Sequence, residues 1–347
     1  MTGSTVRIGL VGYGMGGRYF HAPLIAAAAG CELAGVVTRS PERRAELAQD
    51  APGVPAYDSL ADLAAAGVDA VVVSTPLPTH LPLVREAVGL GLPVVCDKPF
   101  AADAVAARAT VELAARAGVL LSVYQNRRWD ADLLTVSKVL ASGALADIIT
   151  FESHLEQSPP TAGLPTTGGG VLLDLGAHAV DQAMALFGPV SSVYAELHVL
   201  PELDGFDNRF FVALQHRNGV TSHLWGSWGL QGEPISRFRV IGSAATYAVD
   251  SDDGQTDRLL AGRTPATEGD AWGSVPEARW GRIYRDGVGE PVPTEHGSWN
   301  SFYAGFASAV RGQAAVPVNP WDAVAALEVL GAARTSATQG RVVELNG

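Results

Sequence analysis

The chain of 347 residues has little cysteine, little positive charge and no long apolar run. Its two cysteines, Cys31 and Cys96, cannot build a disulfide framework. Their neighbours Ala29, Leu33, Val94 and Val95 read as core strand or helix, so the expected compartment is reducing. Charged residues or prolines cut every apolar stretch before it reaches the roughly 18 residues of a membrane span. Met1 to Arg7 lacks the basic stretch and apolar core of a secretory signal, and a cytoplasmic, soluble protein is the expectation. With 24 basic against 36 acidic side chains the net charge is −12. That balance is wrong for gripping a phosphate backbone, so neither nucleic acid nor membrane is an expected partner. Internal repeats and low-complexity tracts are absent too.

What is present is globular: 47% apolar and 17% charged residues, in a length of about two domains at roughly 150 residues each. Short apolar runs alternate with helical stretches in the first third. Val6–Val11, Leu33–Val37, Ala70–Val73, Pro93–Cys96 and Val119–Tyr124 read as buried strands. Asp58-Ser59 and Asp103 precede helical spacings as caps. Continuously apolar strands separated by helices imply a parallel sheet covered on both faces, the doubly wound α/β class. After about Asn126 the strands become long, alternating and consecutive: Ile148–Glu156, Val190–Leu200, Arg209–His216, Val220–Trp228 and Arg237–Ile241. Asn218-Gly219 forms a hairpin turn between two of them. A second α/β domain with a large, mostly antiparallel, open-faced sheet follows. The expected division is residues 1–126 for nucleotide binding and 127–347 for substrate binding and oligomerisation. Asp250–Pro293, rich in Gly, Pro and Asp, reads as long loops with a short helix or two, and Trp321–Gln339 as helix.

Gly12-Tyr13-Gly14-Met15-Gly16-Gly17 fits G-x-G-x-x-G directly after the first strand and at the start of a helix. Gly12 permits the tight turn, Gly14 admits a pyrophosphate to the backbone and Gly17 lets helix and strand pack. In that context the motif points to a dinucleotide. About 20 residues on, an NAD enzyme offers a carboxylate to the ribose 2′-hydroxyl; here the strand ends in Thr38-Arg39-Ser40. Arg39 and the two hydroxyls suit a 2′-phosphate, so NADP is the expected cofactor and NAD the alternative. The bland reading is that Arg39 is a solvated loop residue near Glu42 and Arg43.

Lys98, in Asp97-Lys98-Pro99, stands at the carboxyl end of the fifth strand, where open α/β sheets place ligands. Its ammonium can polarise a substrate oxygen; alternatively it is a surface lysine paired to Asp97. Further on, Asp174 and His178 are four apart and share one face of a helix, with Asp181 a turn further. Such a histidine can exchange an alcohol proton while the carboxylate orients it. The same pattern also fits a capped helix or two of three metal ligands. No His-x-x-x-His or Cys-rich partner completes a metal site, so no metal is expected.

These motifs, with Ser74-Thr75-Pro76-x-x-x-His80 and in this order over nearly the whole chain, resemble the glucose-fructose oxidoreductase / inositol dehydrogenase / rhizopine catabolism (Gfo/Idh/MocA) family. Phe20-His21-Ala22-Pro23-Leu24, Leu121–Asp130 and Ala261-Gly262-Arg263-Thr264-Pro265 look like its NADP-dependent scyllo-inositol 2-dehydrogenase branch. The resemblance implies an N-terminal Rossmann domain and a C-terminal domain whose sheet buries one face against another subunit, in a homodimer or homotetramer. It implies hydride transfer at a secondary alcohol or ketone of a cyclitol or sugar. Lys98 would polarise the oxygen, His178 would be the general acid/base and Asp174 would position them. Thr75, Pro76 and His80 would line the nicotinamide side, and the Lys98–Pro99 peptide would be cis. Asp97 stands where the family usually has Glu, with contacts to cofactor ribose or to Lys98. Asn126 and Trp129, where the chain passes between domains, are substrate-pocket candidates or hinge packing. The segment 156–165 lacks the Arg and Trp expected of close relatives. The rival function is a non-catalytic NADP-binding sensor or regulator on the same fold.

Overall fold

The computed structural model describes residues 5–157, 169–200, 205–228, 236–250 and 253–345. Most of the divergent 156–165 segment, from residue 158 on, lies outside them. Two compact units result. The first comprises residues 1–129, 254–272 and 298–324, and the second 130–253, 273–297 and 325–347.

In the first unit strand and helix alternate as β1 (Val6–Val11), α1 (Ala22–Ala27), β2 (Cys31–Val37), α2 (Pro41–Asp50), β3 (Ala56–Tyr57), α3 (Leu60–Ala65), β4 (Ala70–Val73), α4 (His80–Gly89), β5 (Val94–Cys96), α5 (Ala104–Ala117) and β6 (Leu121–Val123). All strands are parallel, in the order β3-β2-β1-β4-β5-β6. β4 and β5 are buried along their whole length, as a sheet covered on both faces requires. The caps form as the sequence predicts: Ser59 accepts from the Asp62 N–H at 3.1 Å and Asp103 from the Ala106 N–H at 2.9 Å. The strand order reverses between β1 and β4, and ligands of open α/β sheets bind outside the carboxyl ends of the strands at such a point.

The second unit contains α6 (Ala131–Ala141), β7 (Ile148–Gln157), α7 (Gly170–Phe187), β8 (Val190–Val199), β9 (Asp207–His216), β10 (Thr221–Trp228), β11 (Phe238–Gly242) and β12 (Thr246–Val249). After α8 (Gln255–Leu260) and α9 (Pro265–Glu268) come β13 (Arg282–Arg285) and β14 (Val288–Pro291). The chain then forms α10 (Asn300–Val310), α11 (Pro320–Gln339) and β15 (Val343–Glu344). The nine-stranded sheet runs β14-β13-β12-β11-β7-β10-β9-β8-β15 and is antiparallel except between β7 and β10. Gly219, at φ 94°, closes the Asn-Gly turn between β9 and β10.

Two features differ from the sequence reading. Residues 250–293 contain the β13–β14 hairpin as well as loops and short helices. Its strands are largely exposed and so lack apolar alternation, although Asp286 and Gly287 (φ 48° and 79°) supply the Asp-Gly turn that favours a hairpin. A division at residue 126 also leaves out two segments that fold with the first unit, 254–272 and 298–324. The reason is aromatic burial. Trp272, Trp299, Phe302, Tyr303 and Phe306 join Ile8, Leu10, Leu24, Ile25 and Val36 in one core cluster, and helical spacing alone does not say which sheet α10 covers.

Phe306 is wholly buried in that cluster. Phe306→Ala is expected to cost about 3–5 kcal/mol in denaturant unfolding, with hydrogen-exchange protection lost first in β1 and β2. Loss confined to the second sheet would contradict this packing.

Candidate functional site

The glycine loop sits where β1 meets the reversal point. Gly12 has φ +101°, and a Cβ there would stand 2.1 Å from the Ser74 carbonyl oxygen, so the loop after β1 and the loop after β4 touch through main chain. A Cβ on Gly17 would lie 2.1 Å from the Gly12 carbonyl oxygen, which explains the third glycine of the fingerprint as close helix–strand packing. Gly14 is different: nothing lies within 4 Å of its Cβ position. The backbone is bare there, as a pyrophosphate cradle requires, and the residues present fit a dinucleotide. Met15 is exposed, whereas the Tyr13 phenol turns into the core and donates to Asp50 at 3.2 Å, leaving its main chain to the loop.

The helix after the loop begins irregularly. Gly16–His21 is π-helical, and the Ala22 N–H bonds back to the Gly17 carbonyl. Pro23, next in line, has no N–H to donate, which removes an ordinary helical bond at this point. His21 is thereby turned fully inward, at 0% exposure.

At the end of β2, Thr38 is buried, Arg39 is exposed and Ser40 caps α2 by accepting from the Arg43 N–H at 3.3 Å. The sequence reading passed over Arg44, which donates to the Thr38 carbonyl at 3.0 Å and pairs with Asp58 at 2.8 Å. Glu42 and Arg43 do not engage Arg39; Arg43 pairs with Glu46 at 2.7 Å.

After β4, the Thr79 hydroxyl donates to Thr75 at 2.7 Å, and Pro76 is exposed. His80 is buried with Nε2 2.8 Å from the Thr75 carbonyl and Nδ1 3.0 Å from the Pro99 carbonyl. It ties the loop after β4 to the loop after β5. Both contacts are donated at once only by a doubly protonated ring.

After β5, Lys98 is half-buried and its peptide bond to Pro99 is cis. Asp97 Oδ1 accepts the Lys98 N–H at 2.8 Å, while Oδ2 accepts the Ser74 hydroxyl at 2.9 Å and lies 3.0 Å from His21 Nε2. Burial alone would raise the Asp97 pKa. His21, through charge and hydrogen bonding, together with His80 and Lys98 outweighs it, and the pKa falls to about 2. Sequence reasoning did not see Ser74, His21 or Gly16 as parts of this site.

In the second unit α7 carries Asp174 and His178 one turn apart on a common face, as expected from their spacing. His178 is 5% exposed and Asp174 is half-buried. The helix lies against β9 and β10, and its first turn is held from outside. Asp207 at the start of β9 accepts the Leu172 N–H at 2.6 Å, replacing a cap that Gly169 cannot supply. Gly170 is required for this, since a Cβ there would come within 2.3 Å of Asp207 Oδ1. Lys98 thus belongs to the first unit and the Asp174–His178 pair to the second. Asn126 is buried and Trp129 meets Phe302 edge-on at 5.6 Å, both within the first unit. Among the described residues no group of three or more His, Cys, Asp or Glu could hold a metal ion. No helix among them is long and apolar enough to cross a membrane.

The profile of the oxidoreductase family with an NAD-binding Rossmann fold, GFO_IDH_MocA, matches residues 6–125, and that of the GFO/IDH/MocA C-terminal domain matches residues 133–248. The chain belongs to the Gfo/Idh/MocA oxidoreductase family. It is 30% identical to scyllo-inositol 2-dehydrogenase (NADP(+)) IolW of Bacillus subtilis, over 98% of this chain and 96% of that one. D-apiose dehydrogenase of Paraburkholderia graminis is 30% identical over 63% of this chain and 61% of its own length. Among solved structures, a chain from Klebsiella pneumoniae is 35% identical, with TM-score 0.88 over 99% of this chain and 96% of that one. An oxidoreductase from Bacillus cereus is 26% identical, with TM-score 0.88 over 99% of each chain. The family assigns this chain an NAD-binding Rossmann domain.

The glycine geometry gives contrasting expectations. Gly14→Ala should leave denaturant stability unchanged within about 0.5 kcal/mol, as for a surface change, yet weaken coenzyme binding in a fluorescence titration. Gly12→Ala should lower stability itself. Equal stability loss in both would contradict the cradle.

Proposed function

We propose that this protein is an NADP-dependent dehydrogenase or reductase acting on a secondary alcohol or ketone of a cyclitol or sugar. The observation that carries the reading is the chemistry of its charged groups: a lysine at the carboxyl end of β5, a carboxylate and a histidine on one face of α7, and no carboxylate at the end of β2. Near full-length similarity to a scyllo-inositol 2-dehydrogenase that uses NADP supports the substrate class.

The bound nicotinamide would supply the hydride donor or acceptor. Gly12, Gly14 and Gly17 would receive its pyrophosphate on bare backbone. Exposed Arg39, beside Thr38 and Ser40, would take the 2′-phosphate. Thr75, Pro76 and His80 would line the nicotinamide side, and Asp97 would hold the loop that carries Lys98. The Lys98 ammonium donates to the substrate oxygen and stabilises negative charge as the carbon–hydrogen bond is made or broken. His178 takes the hydroxyl proton in oxidation and returns it in reduction, and Asp174 orients it. Asn126 and Trp129 remain candidates for substrate contact. The sheet face turned away from α7 carries Phe211, His223 and Trp225, with His154 stacked on Trp225 at 4.3 Å. We assign that half-buried aromatic face to a homodimer or homotetramer contact, which light scattering would report as a mass above that of one chain. Cytoplasmic residence belongs to the same proposal.

Lys98→Ala and His178→Ala should each lower kcat by about a hundredfold or more while the NADPH Kd stays within roughly threefold; wild-type turnover in either variant removes that residue's role. Arg39→Ala should weaken NADP binding by about tenfold or more, the worth of a charge-assisted contact, with little effect on NAD. Equal losses for the two cofactors would argue against a 2′-phosphate site.

A further inference from the structure

Beneath the glycine loop runs a polar chain of Tyr303, His21, Asp97 and Ser74, of which buried Tyr303 and His21 have no part in the roles described above. We propose that His21 is a positioning residue, which donates its Nε2–H to Asp97 and so keeps that carboxylate ionised and aimed, fixing the main chain at Lys98 and the floor of the glycine loop. This rests on the dehydrogenase reading for its effect on turnover.

The geometry leads there in three steps. His21 is fully buried, its Nδ1 meets the Tyr303 hydroxyl and its Nε2 lies 3.0 Å from Asp97 Oδ2. Nε2 has no aligned hydrogen-bond partner beyond this ion contact with Asp97, and a buried imidazole nitrogen left unmatched is costly. Next, burial, with Tyr124, Asp97 and Cys31 nearby, holds the Tyr303 pKa far above its ordinary value, so the phenol keeps its proton beside His21 Nδ1. A hydrogen on Nε2 then faces Asp97 as a donor. The Tyr124 ring, 4.5 Å from His21, closes the side of the cage. Finally, Asp97 passes the constraint on. It accepts the Lys98 N–H at 2.8 Å, and its Oδ2 lies 3.1 Å from where a Cβ on Gly16 would stand. One carboxylate therefore sets the start of the lysine loop and the close approach of the glycine loop.

The arrangement has a pH signature. The titratable groups around Asp97 are His21 from the π-helical turn, His80 from α4, Cys96 and Lys98 from its own segment, and Tyr303 from α10. With its pKa lowered to about 2 from 3.8, Asp97 contributes stability that is present above pH 3.8 and lost as the pH falls through about 2. Without His21, burial is opposed by His80, Lys98 and the Ser74 hydroxyl and Lys98 N–H donors alone, and Asp97 takes up a proton at a higher pH.

The test compares His21→Phe with His21→Gln in the full-length protein, measuring NADPH affinity, kcat, KM and the acid limb of folding stability against pH, where loss of the Asp97 charge is read directly. His21→Phe should lower kcat by tens of times, the scale of a small misplacement near the reacting atoms. Its NADPH Kd should change by about threefold or less, and its acid limb should move up by about one pH unit. His21→Gln, whose amide can still donate to Asp97, should recover most of kcat and the wild-type acid limb. An acid limb unchanged in folded His21→Phe overturns the proposal, as does His21→Gln failing as badly as His21→Phe. If His21→Phe does not fold, Tyr303→Phe takes its place with the same expected upward shift, and an unchanged limb there is equally fatal. A ¹⁵N spectrum of the wild-type histidines, with His21 assigned by its absence in His21→Gln, reads the tautomer without any turnover. An Nε2–H ring agrees with the proposal and an Nδ1–H ring overturns it. A wild-type protein inert toward every polyol would sink the dehydrogenase reading instead, with the tautomer still deciding whether His21 holds Asp97.

Discussion

The nucleotide-binding unit depends on the Asp97 carboxylate more than on any other polar group. Three segments distant in sequence close on it: β4 through Ser74, the lysine loop through the Lys98 N–H, and the π-helical turn through His21. Each contact is short and at least partly buried, where an unmatched charge is expensive. The glycines complete the junction, because Gly12 and Gly16 can approach Ser74 and Asp97 only without a side chain. The dinucleotide fingerprint is therefore also a packing requirement.

A different device holds the second group of candidate residues. α7 enters through two left-handed glycines and takes its cap from Asp207 of β9. Further along, Gln182 accepts from Arg237 at 2.9 Å, and Arg237 is paired with buried Asp132 at 3.4 Å. Gln182 is one turn beyond His178, so the face that carries Asp174 and His178 is fixed from both ends. Buried ion pairs contribute little net stability, but they penalise a slipped helix heavily. Both devices suit side chains that must point in one direction.

Much of this was legible in the sequence. The parallel sheet shows because buried strands are continuously apolar, the glycine loop because its spacing follows a strand and opens a helix, and the Asp174–His178 pair because helical spacing fixes a common face. What stayed hidden was long-range. His21 and Asp97 lie 76 positions apart, and nothing local to either announces the other. The aromatic spacing of α10 marks a buried helix without saying that β1 and β2 are its partners. Asp207 caps a helix 35 residues before it, and a capping carboxylate at the head of a strand looks like any other polar strand residue. The β13–β14 hairpin was hidden for the opposite reason: its strands are exposed, and only the Asp286-Gly287 turn marked it.

The central claim is that this fold carries a catalyst selective for NADP. The most direct measurement is a fluorescence titration of the purified protein with NADPH and with NADH, followed in the same cuvette by inositols, sugars and their keto forms while absorbance of the reduced nicotinamide is recorded. The account predicts tighter binding of NADPH and its oxidation on adding one of the keto compounds. Tight binding with no turnover across the panel, or equal affinity for the two cofactors, would contradict it.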